Sequence, residues 1–211
     1  MLEFIQAGGW LMAPIILCSV LAMAIVLERF WTLRRSKVIP AAVNRKVEAW
    51  AATSDLDYNH LMQLRNESPL GEVLAAALLN RHRSREIIKE AVQDSGRHVI
   101  HELQRFLNTL GTIADVAPLL GLLGTVVGMI KVFAAIVTFG VGNANELAGG
   151  ISQALTTTAA GLGVAIPAVF FYRYFRGRIA EYVVVMEQQA IHLIDTIDRG
   201  NVKKHQNLPG A

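Results

Sequence analysis

Charged side chains are scarce in this sequence and unevenly distributed along it. Asp, Glu, Lys and Arg make up 18% of the 211 residues, and residues 151–172 contain none of them. Hydrophobic residues make up 53%, more than a soluble domain of this size needs to fill its core, and mean hydropathy is +0.37. The composition therefore predicts a membrane protein.

Several chemical signatures are also missing. Cys18 is the one cysteine, so no disulfide forms within the chain. There is no G-x-S-x-G, H-E-x-x-H or G-K-[ST] motif to supply a nucleophile, a zinc site or a phosphate loop. His98 and His101, next to Glu102, lie in a basic stretch typical of a solvated helix face. We therefore expect no enzyme activity, no cofactor and no metal.

Three stretches are long and apolar enough to cross a bilayer, which takes about 20 residues per helix. The uncharged run 4–27 is longer than the core of a cleaved secretory signal, so we expect the first span to be retained. The predicted fold is all-α, an integral membrane protein with three transmembrane helices, two of them extended into a cytoplasmic helical domain. The predicted segments are the N-terminus and first span (1–33), the helical domain (34–111), the second span (112–139), a loop (140–148), the third span (149–172), and a C-terminal helix and tail (173–211).

Basic residues predict the orientation of the spans, because Lys and Arg concentrate on the cytoplasmic side. Residues 34–111 hold 12 Lys or Arg against 9 Asp or Glu, and residues 173–211 hold six, whereas 1–9 and 140–148 hold none. We therefore place the N-terminus outside and the C-terminus in the cytoplasm. The same clustering beside apolar segments favours membrane lipids over nucleic acid as a partner, despite a pI near 9.2.

Apolar residues recur at near seven-residue spacing before the second span and after the third. The first series predicts one long helix that is continuous with the second span, and the second series predicts a helix continuous with the third. A turn at 66–71 predicts a helical hairpin within 40–79. The two series are Val92, Val99, Leu103, Phe106, Leu107 and Leu110, and Val183, Met186, Ala190, Ile194 and Ile197.

Small and polar residues share a face of the third span. On a helix, Gln153, Thr157 and Gly161 form one row, and Thr158 lies in the adjacent row with Gly161. Pro167 follows in the same span, where neighbouring helices tolerate the lost hydrogen bond. Such a stripe either joins helices or lines a hydrated cavity, and both interpretations remain open.

The second span carries a matching stripe. Gly121, Thr125 and Gly128 fall together, and Gly124 and Gly128 form a small-xxx-small pair that permits close helix approach. Pro118 precedes this stripe. We expect these glycines, together with Gly161 and the two prolines, to pack the two helices against each other, and around a pore if the stripes line a cavity.

No Asp, Glu or His lies at the centre of any span, although these are the side chains that carry protons by titrating. Thr125 is ten residues after Asp115, about 15 Å along the helix and near the middle of the bilayer, and Thr158 is similarly central. Asp115 is predicted at the cytoplasmic pore mouth, and Lys131 is expected to snorkel toward the external face. If protons move here, another subunit must supply the titrating group.

Two segments carry a family resemblance: APLLGLLGTVVGMIKVF (117–133) and GISQALTTTAAGLGVAIPAV (150–169). They resemble the two signature helices of the family of ExbB, TolQ and MotA, the ring-forming subunits of proton-driven motors in bacterial inner membranes. The resemblance extends over the whole chain in segment order, loop length and orientation. Three spans rather than four are closer to the ExbB and TolQ branches than to the flagellar stator branch.

The resemblance implies a homopentamer whose second and third helices surround a pore. The pore would hold the single-span helices of a dimeric partner of the ExbD or TolR type, which carry an essential aspartate. By motif position Thr125 and Thr158 match pore threonines, and we place Gln153 and Thr157 with them on the proton pathway. Many members carry glutamate where this chain has Gln153, and an amide does not titrate.

The resemblance further implies a multi-pass protein of the inner membrane with a periplasmic N-terminus. Proton motive force would energise a TonB-type or TolA-type protein for outer-membrane transport or envelope maintenance. A passive membrane scaffold that assembles partners without conducting ions is the alternative. A secondary transporter is disfavoured, because the three spans carry no inverted repeat and no charged central site.

Overall fold

The computed structural model describes residues 8–51, 57–140 and 144–206, and within these ranges it contains helices and no strands. The helices are α1 (Met12–Thr32), α2 (Arg35–Val38), α3 (Ala41–Ala51), α4 (Tyr58–Glu67), α5 (Pro69–Leu79), α6 (Arg85–Leu103), α7 (Leu107–Phe139) and α8 (Ala144–Gln206).

Three of these helices are long and apolar enough to cross a membrane. They are α1, α7 over Leu107–Thr138, and α8 within Ala144–Arg199. α7 has 33 residues and is therefore about 50 Å long at 1.5 Å per residue. The predicted all-α class with three membrane helices is confirmed.

α8 is a single helix of 63 residues that contains the third span and continues well past it. It runs through Pro167 without ending. Apolar positions after the span, among them Met186, Ala190 and Ile194, are buried. The predicted extension of the third span is confirmed.

The predicted continuous helix through Val92 and into the second span is wrong. α6 ends at Leu103 and α7 begins at Leu107, because Phe106 adopts a left-handed conformation with φ of 61°. A non-glycine residue in this conformation costs roughly 1–2 kcal/mol. The Arg29 guanidinium lies 5.7 Å from the centre of the Phe106 ring, a cation–π contact that offsets part of that cost.

The chain divides into two compact units. The first, here called the membrane unit, comprises Met1–Arg29 and Phe106–Phe175. The second, here called the helical unit, comprises Phe30–Arg105 and Arg176–Ala211. α1 and α7 belong essentially to the membrane unit, whereas α8 contributes to both.

α5 is the central helix of the helical unit and packs against α3, α4 and α6. Leu70, Leu74 and Leu78 on α5 are at most 1% exposed. The predicted turn at 66–71 is confirmed, since Ser68 caps α5 by accepting a 3.0 Å hydrogen bond from the Gly71 amide. The single hairpin expected within 40–79 is wrong, because the segment forms three helices; residues 52–56 lie outside the described ranges.

Long-range polar contacts tie α8 into the helical unit. The Tyr182 hydroxyl donates to the Leu33 carbonyl at 2.7 Å. The Arg85 guanidinium donates to Asp195 at 2.8 Å and to Asp198 at 3.2 Å, and the hydrogen bond to Asp195 raises the pKa of Arg85. At the start of α6, hydrogen bonds from its own backbone amide and from Ser84 lower the pKa of Glu86.

Candidate functional site

The second and third spans meet along the predicted stripes of small residues. A methyl group at Gly124 would overlap the side chain of Thr157, and one at Gly128 would lie 2.8 Å from the Ala154 methyl carbon. Neither position has room for a side chain larger than that of glycine. The two helices therefore approach each other closely. The glycine pair identified in the sequence lies in this contact.

Gly161 marks the other end of the same contact. A methyl group there would lie 2.5 Å from the Ala117 carbonyl oxygen and 3.0 Å from the Gly121 Cα. Because Gly128 faces Ala154 while Gly121 faces Gly161, the two helices run antiparallel. The stripes predicted on separate helices thus form one interface.

Thr158 joins the helices by a hydrogen bond. Its hydroxyl donates to the Gly121 carbonyl at 2.9 Å, across a sequence separation of 37 residues. The side chain is half-buried, so it lies at the edge of the interface. Interhelical hydrogen bonds of this kind contribute about 0.6 kcal/mol on average in membranes.

Thr125 lies one turn beyond Gly121 and is also half-buried. Its hydroxyl donates to the Leu122 carbonyl of its own helix at 2.6 Å. A hydroxyl oxygen that donates to its own backbone keeps its lone pairs available as acceptors. Thr125 thus lies one turn along α7 from the carbonyl that Thr158 bonds, and the role of both residues in a pore stays a prediction.

Thr157 lies wholly inside the chain, with 0% of its surface exposed. Its hydroxyl hydrogen is shared between the carbonyls of Gln153 and Ala154, at 3.0 and 2.9 Å. Within a single chain Thr157 therefore contacts the neighbouring helix and no open space. The structure separates it from Thr125 and Thr158, with which the sequence analysis grouped it.

Gln153 is the other buried polar residue of the interface, with 7% exposed. Its carbonyl oxygen accepts a 2.8 Å hydrogen bond from the Lys131 ammonium, and its amide donates to the Gly8 carbonyl at 3.4 Å. Lys131 was expected to snorkel toward the external face. In the structure it donates to Gln153 of α8, and its direction relative to the membrane stays a prediction.

The remaining predicted residues lie around this interface. Asp115 is exposed and Pro118 half-buried. Pro167 borders a groove of about 120 Å³ that α8 shares with Ala22 and Val26 of α1. Pro167 therefore faces a different neighbour from Gly161, although both were predicted to pack around the pore.

Sequence reasoning missed Gly8 and Gly9. Gly9 has φ of +68°, and a methyl group there would collide with the Gln153 amide nitrogen. The pair of adjacent glycines just before an apolar run was a signal for such a turn. Nothing in the local sequence indicated that Gln153 was the residue that it approaches.

The site contains hydroxyls, an amide and an ammonium, but the described residues bring no carboxylate into it. Three apolar spans together with a close, polar interface between two of them define a multi-pass helical membrane protein. Its polar interior can donate and accept hydrogen bonds.

Residues 65–188 match the model of the MotA/TolQ/ExbB proton channel family. The chain is 36% identical over 174 residues to an ExbB-like biopolymer transport protein of Synechocystis sp., covering 81% of this chain and 68% of that protein. It is 34% identical over 173 residues to the biopolymer transport protein exbB1 of Vibrio cholerae, covering 78% and 74%. An ExbB homologue of Methanothermobacter thermautotrophicus is 34% identical over 193 residues, covering 88% and 66%.

The chain belongs to the MotA/TolQ/ExbB proton channel family, and its relatives support the ExbB/TolQ branch.

Proposed function

We propose that this chain is the pore-forming subunit of an inner-membrane motor driven by the proton motive force. In this proposal copies of the chain form a ring, expected to be a pentamer, around the single-span helices of an ExbD-like or TolR-like partner. The observation that carries the proposal is that Thr158 bonds the Gly121 carbonyl while Thr125 lies one turn further along α7, in an interface to which the described residues bring no carboxylate. Hydroxyls there solvate a charge that another chain brings.

The proposed proton transfer follows from placing the hydroxyls on this chain and the carboxylate on its partner. A proton that enters from outside neutralises the partner's carboxylate, which lowers the cost of moving that group past apolar pore wall. The carboxylate releases the proton toward the cytoplasm where the hydroxyls of Thr125 and Thr158 turn from the Leu122 and Gly121 carbonyls and donate hydrogen bonds to the ionised form. A potential of 100 mV supplies about 2.3 kcal/mol per charge, enough for repeated small steps.

Gln153 distinguishes this chain from the many family members that carry glutamate at the same position. Its amide hydrogen-bonds the Lys131 ammonium and does not titrate near neutral pH. A carboxylate at this position is therefore not required for proton transfer here, and the partner supplies the titrating acid.

The work produced would energise a TonB-like or TolA-like protein, for transport across the outer membrane or for maintenance of the envelope. The names of the relatives in Synechocystis and Vibrio cholerae refer to biopolymer transport, which supports this assignment. The positive character of residues 34–111 and 173–211 supports a cytoplasmic location for both.

Proton flux tests the proposal. The chain is co-purified with the product of a neighbouring gene that encodes one span with a central Asp, and both are placed in liposomes with a potassium diffusion potential. We expect flux with the pair and none with either protein alone. Thr125→Val and Thr158→Val should each lower the flux about tenfold or more, because an isosteric side chain without a hydroxyl no longer solvates the charge.

Thr138→Val is the matched control. Thr138 also donates to its own helix, at 2.9 Å from the Ala134 carbonyl, but it lies in the last turn of α7 and outside the stripe. Unchanged flux in the Thr125 and Thr158 variants would remove those hydroxyls from the mechanism. Absence of flux from an intact complex would favour the passive scaffold.

A further inference from the structure

The segment that follows α1 carries positive charge and no acid. Residues 29–47 contain six Lys or Arg and no Asp or Glu. Arg34, Arg35 and Lys37 come directly after the span that ends at Thr32, and all three are exposed. None of them forms an ion pair within the described ranges. Their charge is therefore available to an anion from outside the chain.

Two other basic residues of this segment are neutralised within the chain. Arg29 is 3% exposed and pairs with Glu28. Lys46 pairs with Glu67 at 2.7 Å. Neither residue is therefore available in the same way, and Lys46 offers a control of equal charge for Lys37.

Lys37 reaches back to the end of the span. Its ammonium lies 5.1 Å from the centre of the Trp31 ring, a cation–π contact. Trp31 is in the last turn of α1 and is 65% exposed, as is typical of tryptophan where hydrocarbon meets lipid headgroups. The contact therefore holds a positive charge near the depth of the lipid phosphates.

Buried residues fix the turn that carries these cations. Leu33 and Val38 are 5% and 1% exposed. Between them Arg34 is extended, with φ of −67° and ψ of 133°, at the start of α2. The buried Tyr182 hydroxyl donates to the Leu33 carbonyl at 2.7 Å. The turn is therefore held in place before any ligand binds, which lowers the ordering cost of binding.

Arg178 of α8 supports the same turn. Its guanidinium donates to the Tyr182 hydroxyl at 3.1 Å, and it also pairs with Glu181 at 3.0 Å. Glu181 is therefore engaged by α8 itself, and it leaves the cations after α1 uncompensated.

We propose that the end of α1 and the turn after it bind the headgroup of an anionic glycerophospholipid. The site comprises Trp31, Arg34, Arg35 and Lys37. The lipid phosphate accepts charge-assisted hydrogen bonds from the basic side chains, and the start of the acyl chains lies along the Trp31 ring. A lipid fits this site better than free phosphate, because Trp31 and Phe30 present exposed aromatic surface directly beside the charges. In the predicted orientation the lipid belongs to the cytoplasmic leaflet, and the site is independent of the proposed function.

Quenching of Trp31 fluorescence tests the site in lipid. In a Trp10→Phe, Trp50→Phe background Trp31 is the one remaining tryptophan. The full chain is reconstituted in phosphatidylcholine vesicles that contain a small, equal fraction of either phosphatidylglycerol or phosphatidylcholine brominated on its acyl chains. We expect brominated phosphatidylglycerol to occupy the position beside Trp31 about tenfold more often, a preference that falls as salt is raised.

Matched variants locate the preference at this turn. Lys37→Gln should lower it about fivefold, the factor that one basic residue contributes near an anionic surface, whereas Lys37→Arg should retain it. Lys46→Gln removes the same charge and should leave the preference unchanged, because Lys46 is paired with Glu67. Arg35→Gln should also lower the preference, and it keeps the comparison informative if size-exclusion profiles show that Lys37→Gln misfolds. Each ratio is taken within one variant, so a change in the emission of Trp31 itself cancels.

Three results would overturn the proposal. Equal quenching by the two brominated lipids would show that the turn does not select an anionic lipid. An equal loss of preference in Lys37→Gln and Lys46→Gln would show that overall charge, and not this turn, attracts the lipid. Replacing chloride with inorganic phosphate at constant ionic strength should leave the preference intact, and its loss would assign the site to free phosphate.

Discussion

The membrane unit and the helical unit pack their helices through different kinds of side chain, small residues in the first and leucine in the second. In the membrane unit, α7 and α8 meet through glycine, alanine and threonine, with Gln153 and Thr157 buried between them. In the helical unit, α5 packs through Leu70, Leu74 and Leu78. The difference follows from the surrounding solvent, because lipid offers no gain for burying leucine, whereas water does.

The comparison teaches how each unit is destabilised. Removing a buried leucine from the helical unit leaves a cavity and exposes apolar surface. Adding a methyl group to the membrane unit forces two backbones apart. Loss of an alkyl group should therefore destabilise mainly the helical unit, and gain of one should destabilise mainly the membrane unit.

The largest effect is expected at Leu74. It is 1% exposed, and Leu74→Ala should lower the free energy of unfolding of the helical unit by about 2–5 kcal/mol. Leu79→Ala, on the same helix but 38% exposed, should cost much less. Urea titration of the purified protein in detergent measures both, and equal losses would contradict the role assigned to α5.

A smaller effect is expected at Gly161. Gly161→Ala places a methyl group 2.5 Å from the Ala117 carbonyl oxygen and should cost about 1–3 kcal/mol through separation of α7 and α8. Gly163→Ala, two residues later, meets no atom within 4 Å among the described residues and should be nearly neutral. Thermal aggregation temperature in detergent measures the contrast. A tolerated Gly161→Ala would refute the close interface.

Thr158→Val should have a modest effect on stability. It removes the hydrogen bond to the Gly121 carbonyl, for which about 0.6 kcal/mol is the average in membranes. Its loss of flux should greatly exceed what this change in stability explains. A parallel loss of stability and flux in titrations of both would instead make Thr158 a purely structural residue.

The smallest effect is expected at Arg85. Its ion pairs with Asp195 and Asp198 are exposed, so Arg85→Ala should lower the melting temperature of the helical unit slightly, and less at high salt. Because the pKa of Arg85 is raised above an already high value, the contribution should be constant across the physiological pH range. A salt-independent loss would indicate lost packing of the arginine stem.

Features that depend on local sequence could be predicted in both units. Apolar length predicted the three spans, and the spacing of Gly121, Gly124 and Gly128 predicted the interface, because small residues in a span have few other uses. The turn at Ser68 followed from the Asn, Ser, Pro and Gly residues within 66–71. These signals are local, so a single sequence contains them.

What the sequence did not indicate depends on contacts between distant segments. The left-handed Phe106 interrupts an apolar series that was continuous by spacing, and its contact is Arg29, far away along the chain. Lys131 and Gln153 are 22 residues apart on different helices. Hydropathy treats each as an isolated polar residue, and their pairing depends on helix register, which only the fold supplies.

Cysteine accessibility in the purified assembly of this chain alone tests most directly the proposal that Thr125 and Thr158 face an aqueous lumen. In a Cys18→Ser background, Thr125→Cys and Thr158→Cys should react with a membrane-impermeant thiol reagent. Val126→Cys, adjacent to Thr125 and 51% exposed in the single chain, should remain unreactive in lipid. Reaction at 125 and 158 but not at 126 is the predicted result. Protection of both threonine positions, or reaction at 126 alone, would contradict the account.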